Sequence, residues 1–217
     1  IQKGWFKFPD HSEDVIMLED FRADPINYKL NTPSGKIEIF SETINSFGYD
    51  DCPGHPVWLE PCEWLGQKDK KYQLHLISNQ PKDKLHSQLD HGKFSRSNKV
   101  NGREPVFINQ KDAIKRNLKD KDLVQVYNDR GSCYASVVID NNLRSGVILI
   151  STGAWYDPID PSINNSPCKN GNPNTLTPDK GTSSLAQGPI AHTCMVEIRL
   201  AEGEIPSVTA YDPPRFI

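Results

Sequence analysis

The sequence predicts a β-rich barrel that carries a short helix and one long loop. Three observations carry this reading. Runs of alternating apolar and polar residues recur after residue 72, and one stretch shows helical spacing. Between Thr152 and His192 lie about forty residues of Gly, Pro, Asn, Asp and Ser with almost no periodicity, a length that compact domains seldom carry without a functional reason.

Residues 1–66 are rich in Pro, Asp and aromatic side chains and read as an irregular connecting arm. Within them Lys36-Ile37-Glu38-Ile39 alternates as a short strand should, and Thr32-Pro33-Ser34-Gly35 ahead of it is turn chemistry. The pattern changes at Tyr72, where Tyr72, Leu74 and Leu76 would share one strand face. Next come a strand at Pro105-Val106-Phe107-Ile108 and a helix that Asn109 would cap, with Ala113, Ile114 and Leu118 as its apolar stripe. Leu123 to Tyr127 and Ser132 to Ile139 flank Asn128-Asp129-Arg130-Gly131 and read as a hairpin. Val147 to Ile150 forms a further strand after the Arg144-Ser145-Gly146 turn. The last, Thr193 to Leu200, sets Cys194, Val196, Ile198 and Leu200 on one face.

Composition narrows the function classes. Hydrophobic residues make up 36% of the 217 and charged residues 24%, which is enough for a packed core. A net charge of -3 gives no global attraction to nucleic acid, and the run Lys68, Lys70, Lys71 beside Asp69 reads as solvated surface. The longest purely apolar stretch, Val147 to Ile150, is far too short for membrane insertion. The chain opens at Ile1 without an initiating Met, so an upstream partner segment is expected.

Cys52, Cys62, Cys133, Cys168 and Cys194 form no C-x-x-C pair, and the six histidines form no H-E-x-x-H, so no metal is expected to be held by this chain. No G-x-S-x-G and no Gly-rich phosphate loop occurs. His86 and Ser87 are adjacent, which leaves a hydrolase as a distant alternative.

Polar residues do gather after the first strand, in Ser78-Asn79-Gln80-Pro81 and Lys84-Leu85-His86-Ser87-Gln88. Hydroxyls and a lysine suit a phosphate, whereas amides and an imidazole suit a heterocycle edge. The bland alternative is a loop whose side chains bond their own backbone. Trp155 and Tyr156, beside Gly153 and Pro158, could wall a pocket or simply anchor their loop on the barrel.

Seven segments, in this order, resemble the C-terminal domain of the dimethyl sulfoxide reductase family, and within it the trimethylamine N-oxide and biotin sulfoxide reductases. They are Thr32-Pro33-Ser34-Gly35-Lys36-Ile37-Glu38, Lys84-Leu85-His86-Ser87-Gln88, Gly102-Arg103-Glu104-Pro105, Asn128-Asp129-Arg130-Gly131, Gly153-Ala154-Trp155-Tyr156-Asp157-Pro158, Gly171-Asn172-Pro173-Asn174 and Gly181-Thr182-Ser183-Ser184-Leu185-Ala186-Gln187. The resemblance implies a mainly β fold, a six-stranded double-psi barrel with short helices over residues 67–217, preceded by the arm.

It also implies a molybdenum cofactor, bis(molybdopterin guanine dinucleotide), bound only together with the missing N-terminal domains of the same polypeptide. Those domains would supply the metal ligand and the catalytic residues, so none is expected in this chain. S-oxides or N-oxides would be the substrates, and a cytochrome or other electron donor the redox partner. Periplasmic location is implied, with the cytoplasm as the alternative.

By position, Ser78, Asn79, Gln80, Lys84, Leu85, His86, Ser87, Gln88, Asn174 and Gln187 become the expected cofactor contacts, and Trp155 a pocket wall. The dimethyl sulfoxide branch carries His where Gln80 stands and Arg where Lys84 stands. Lysine keeps the charge but lacks the bidentate fork that matches phosphate. The rival from another class is a non-catalytic double-psi barrel that binds a peptide or small ligand. The long loop ending in Leu185-Ala186-Gln187-Gly188 favours the cofactor domain, since a generic barrel has no need of it.

Overall fold

The computed structural model describes residues 4–9 and 14–213. The chain divides into two compact units, Ile1–Val57 and Trp58–Ile217.

The first unit holds two short helices, α1 (Glu19–Ala23) and α2 (Glu42–Ser46). Ser41 caps α2 by accepting a hydrogen bond from the Ile44 N–H. The strand expected at Lys36 to Ile39 does not form. Ile37 and Ile39 are exposed, and alternation without a partner strand gives the backbone nothing to pair with. A local network holds the turn instead. The Thr32 hydroxyl donates to the Lys36 carbonyl at 2.7 Å, and Gly35 takes a φ of +68° as the turn reading required.

The second unit is built on six strands: β1 (Leu74–Ile77), β2 (Pro105–Ile108), β3 (Leu123–Tyr127), β4 (Ser132–Ile139), β5 (Val147–Leu149) and β6 (Met195–Leu200). They close into one barrel in the order β1-β5-β2-β4-β3-β6. Two pairs, β1 with β5 and β2 with β4, are parallel and the other four are antiparallel, in a double-psi barrel. Closure leaves no free sheet edge.

Alternation in the sequence becomes burial. Leu74, Leu76, Val106, Ile108, Val124, Val126, Ile148, Val196 and Ile198 fill the barrel, while their neighbours along β1, β2 and β3 are only partly covered. At the end of β6, Leu200 instead lies exposed and Met195 is buried.

Strand β4 departs from alternation because both its faces are covered, from Ser132 to Val137. The cover is part of the long loop. Tyr134 N–H donates to the Cys168 carbonyl at 2.9 Å, and Cys168 N–H donates to the Ser132 carbonyl at 3.0 Å. Residues 168–171 of that loop are buried, so this stretch is structural rather than open to a ligand.

The helix read after Asn109 is α4 (Gln110–Ile114), capped by the Asn109 side chain, which accepts from Lys111 N–H at 2.9 Å. Ala113 and Leu118 are buried as expected, but Ile114 is exposed. The helix stops early because Asn117 adopts a φ of +55°. Asn117 N–H then bonds Ile114 and Leu118 N–H bonds Ala113, a Schellman closure. A further helix, α3 (Lys93–Ser97), precedes β2.

The hairpin motif Asn128-Asp129-Arg130-Gly131 proves to be a clamp. Asn128 Nδ2 and Arg130 Nε both donate to the Leu176 carbonyl, at 2.9 and 2.6 Å. The Arg130 guanidinium grips Glu63 through two nitrogens, at 2.5 and 3.0 Å, and Glu63 also accepts from Met195 N–H at 2.7 Å. Burial pushes the Glu63 carboxyl up, but these donors outweigh it and hold its pKa low. Glu63 thereby ties its segment to the barrel, and the compact unit that holds the barrel begins at Trp58.

Candidate functional site

Because β1 and β5 run parallel, the chain leaves both at the same end of the barrel. The expected contacts that follow β1 and the segment around Trp155 meet there. Thr152 N–H donates to the Asn79 carbonyl at 2.9 Å, and the Ser151 hydroxyl donates to Asn79 Oδ1 at 2.9 Å. Gly153, at a φ of +96°, lies against the His86 carbonyl so closely that an ideal Cβ would stand 1.7 Å from that oxygen. Only glycine permits this approach. His86 is itself left-handed, at a φ of +50°. Trp155 then locks the two loops together, its indole Nε1 donating to the Ser87 carbonyl at 2.7 Å.

The result is a polar rim. Asn79, Gln80, Leu85, His86, Ser87 and Gln88 are exposed, and Ser78 is half-buried at the start of the turn. Gln80 Nε2 sits 3.1 Å from His86 Nδ1, which pairs the amide with the imidazole. Trp155 is half-buried, with the rings of His91 and Tyr211 at 5.2 and 5.8 Å.

Lys84 behaves differently from the expectation that it meets a phosphate. Its ammonium is 1% exposed and donates to Asp90 at 2.8 Å and Glu104 at 3.1 Å. Lys99 closes the square, at 3.2 Å from Asp90 and 2.7 Å from Glu104. Two cations and two anions balance, and a phosphate would have to displace a buried carboxylate to reach Lys84. Its role is internal.

Asp90 is the hub of this cluster and was missed in the sequence. Fully buried, it also accepts from Trp155 N–H at 3.0 Å and the Tyr211 hydroxyl at 2.7 Å. Burial would raise its carboxyl, but hydrogen bonds from Lys84, Tyr211 and Trp155 and the charge of Lys99 hold it down to about 2. The Tyr211 hydroxyl is pushed up by its burial and by the adjacent Asp90 charge. Asp157, in the same loop as Trp155, pairs with Lys169 at 3.1 Å. A carboxylate next to glycine and histidine in a polar loop was the only signal at Asp90, and such signals are common.

Asn174 and Gln187 stand apart from these contacts. Asn174 is exposed in the short 3-10 turn Pro173–Thr175, its N–H donating to Asn172 Oδ1 at 2.9 Å. Gln187 is exposed in a tight loop where its amide donates to the Ser183 carbonyl at 3.1 Å. Both sets of bonds are local.

The chemistry at this end fits an anionic, hydrogen-bonding ligand. Amides, hydroxyls and an imidazole line the rim. A cleft of about 590 Å³ opens beside Asn79, walled by Phe94, Phe107 and Leu149. A second, of about 690 Å³, presents Lys93, Arg96 and Arg103. Aromatic walls suit a flat heterocycle, and the basic cleft suits negative charge. Among the described residues no group of His, Cys, Asp and Glu could hold a metal. None of their helices is long and apolar enough to cross a membrane.

A closed six-stranded barrel thus carries a polar rim, built by the loops that follow β1 and β5, at one end. The chain belongs to the molydopterin dinucleotide binding domain family, whose model matches residues 74–195. It is 44% identical to the trimethylamine-N-oxide reductase of Haemophilus influenzae, over 98% of this chain and 26% of that protein. It is 41% identical to the dimethyl sulfoxide/trimethylamine N-oxide reductase of Cereibacter sphaeroides, with the same two coverages. The chain thus spans about a quarter of the length of these relatives. Among solved structures, acetylene hydratase from Pelobacter acetylenicus superposes on 82% of this chain and 25% of its own, with a TM-score of 0.65 and 19% identity. That likeness speaks to the fold.

Proposed function

We propose that this chain is the cofactor-binding barrel of a molybdenum-dependent oxidoreductase that reduces N-oxides or S-oxides, with trimethylamine N-oxide, dimethyl sulfoxide and biotin sulfoxide as the substrate types. The observation that carries the reading is identity above 40% along nearly the whole chain to two reductases of this kind. The bound group would be a pair of molybdopterin guanine dinucleotides, held jointly with further domains of the same polypeptide. A cytochrome or other donor would deliver the electrons, and the resemblance to these reductases favours the periplasm.

Within that complex, Asn79, Gln80, His86, Ser87 and Gln88 would bond the heterocycle and phosphate edges, and Trp155 would wall the pocket. The cofactor, when bound, supplies the redox chemistry of oxygen-atom removal. This chain orients it and excludes water. Asn174 and Gln187 join the rim in the complete protein if their loops face the same ligand.

The test is made on the full-length polypeptide expressed with a molybdenum supply. Metal analysis and acid release of guanine nucleotide should show both in fixed ratio, and a reduced viologen dye should be oxidised by one of the three substrate types. A purified protein that holds molybdenum yet turns over none of them defeats the activity. One that holds no guanine nucleotide defeats the cofactor.

A further inference from the structure

We propose that the C-terminal segment, residues 206–211, is a strap that positions Trp155 for the cofactor, with Tyr211 as the positioning residue; this rests on the reading of Trp155 as a pocket wall.

The segment follows β6 and lies beyond residue 195, where the family match ends. It contributes no strand to the barrel, yet buried groups hold it at three points. The Arg103 guanidinium donates to the Pro206 carbonyl at 2.6 Å. Asp157 accepts from Thr209 N–H at 2.7 Å, from the Thr209 hydroxyl at 2.8 Å and from Ala210 N–H at 3.1 Å. The Tyr211 hydroxyl donates to Asp90 at 2.7 Å.

Both anchoring carboxylates serve the Trp155 loop at the same time. Asp157 is two residues from Trp155, and Asp90 Oδ2 accepts from Trp155 N–H and Tyr211 together. The rings meet as well: Tyr211 stands 5.8 Å from Trp155 at an interplanar angle of 50°. Tyr211 also meets the Arg96 guanidinium, 5.1 Å from the ring centroid.

Trp155 is therefore held by two segments, the loop of residues 87–91 and the strap. Asp90 holds its backbone, the Ser87 carbonyl holds Nε1, His91 flanks one side of the ring, and Tyr211 supplies the strap's contact. Asp90 keeps Lys84, Lys99 and Trp155 N–H when Tyr211 is removed, so the hub survives while the indole loses a wall. That separation makes a positioning role distinguishable from a folding role.

The experiment uses the full-length holoenzyme labelled with 5-fluorotryptophan, in which the Trp155 resonance is identified by its loss in Trp155→Phe. Tyr211→Ala should shift or broaden that resonance and speed loss of molybdenum and guanine nucleotide on dialysis about tenfold, the scale of one lost aromatic contact. Tyr211→Phe, which keeps the ring, should restore the resonance and most of the retention. Should Tyr211→Ala fail to fold, Tyr211→Leu takes its place. A parental Trp155 resonance in the Ala or Leu variant overturns the strap, and so does a moved resonance with parental retention. Trp155→Ala separates the two ideas: rapid cofactor loss there with a silent Tyr211→Ala leaves the wall standing and removes the strap. Parental retention in Trp155→Ala removes the wall, and the strap's function with it.

Discussion

Replacing Asp90 by Asn tests whether the buried ion cluster holds the rim in shape. In the parent, the side chains of Lys84 and Lys99 are 1% and 3% exposed and share Asp90 and Glu104 at 2.7 to 3.2 Å, so the four charges cancel. Asparagine keeps an oxygen for Trp155 N–H and the Tyr211 hydroxyl but leaves two ammonium groups to one carboxylate. Breaking a buried pair by removing one partner costs about 3–5 kcal/mol. At about 2–4 °C per kcal/mol for a unit of this size, the melting temperature should fall by roughly 6–20 °C. Urea unfolding of the 217-residue chain, followed by circular dichroism at pH 7, measures the loss. The double variant Asp90→Asn/Lys99→Met, neutral again, should recover part of it. The pH dependence gives a second check. The Asp90 carboxyl is held at about 2, below its unfolded value, so its stabilisation is whole above the ordinary carboxylate range and is lost as pH falls through about 2. Integrated over that shift it amounts to about 2–3 kcal/mol, and the Asn variant should lack this part of the acid sensitivity. A loss at pH 7 below about 1 kcal/mol, or a double variant no more stable than the single one, refutes the argument.

Gly153→Ala should force the two rim loops apart, because its Cβ has no room beside the His86 carbonyl; cofactor content of the full-length protein should drop and the chain's stability fall by roughly 2–4 kcal/mol. Arg130→Lys removes the two-nitrogen grip on Glu63 and the Leu176 contact, so stability should fall by about 1–3 kcal/mol and protease should cut residues 58–66 sooner. Gln187→Ala should cost about 1–3 kcal/mol of cofactor affinity in the full-length protein while its melting temperature hardly changes, because the amide makes only a local bond here. Unchanged affinity in that variant rules out the contact.

The strands were legible because a barrel strand buries one face, and Leu74, Leu76, Val106, Ile108, Val124 and Val126 announce that face by alternation. The hairpin and the Asn109 cap were legible for a similar reason: their chemistry is local, within a few residues. What could not be read was long-range. Lys36 to Ile39 has the alternation of a strand and no partner, and pairing is decided by distant chain. Strand β4 hides both faces because residues 168–171 fold back over it, which no periodicity in Ser132 to Ile139 reports. Asp90 and Tyr211 are 121 residues apart, yet they share one hydrogen bond.

The same distinction divides the motif residues by task. Lys84, Arg103, Glu104, Asn128, Arg130 and Asp157 belong to the segments that carry the family resemblance, and the fold draws all of them into internal bonds. Asn79, Gln80, His86, Ser87 and Gln88, from the polar cluster after the first strand, remain exposed. A sequence motif thus mixes side chains that would touch a ligand with side chains that hold those in place. Charge separates them. A buried lysine costs free energy unless carboxylates surround it, so once Lys84 meets Asp90 and Glu104 it has no net field left to offer an anion. Its value lies in stiffness: the neutral cluster fixes Asp90, Asp90 fixes Trp155, and Trp155 ties the rim loops through the Ser87 carbonyl. Attraction for an anionic cofactor then falls to cations outside the cluster, such as Lys93 and Arg96 along the neighbouring cleft.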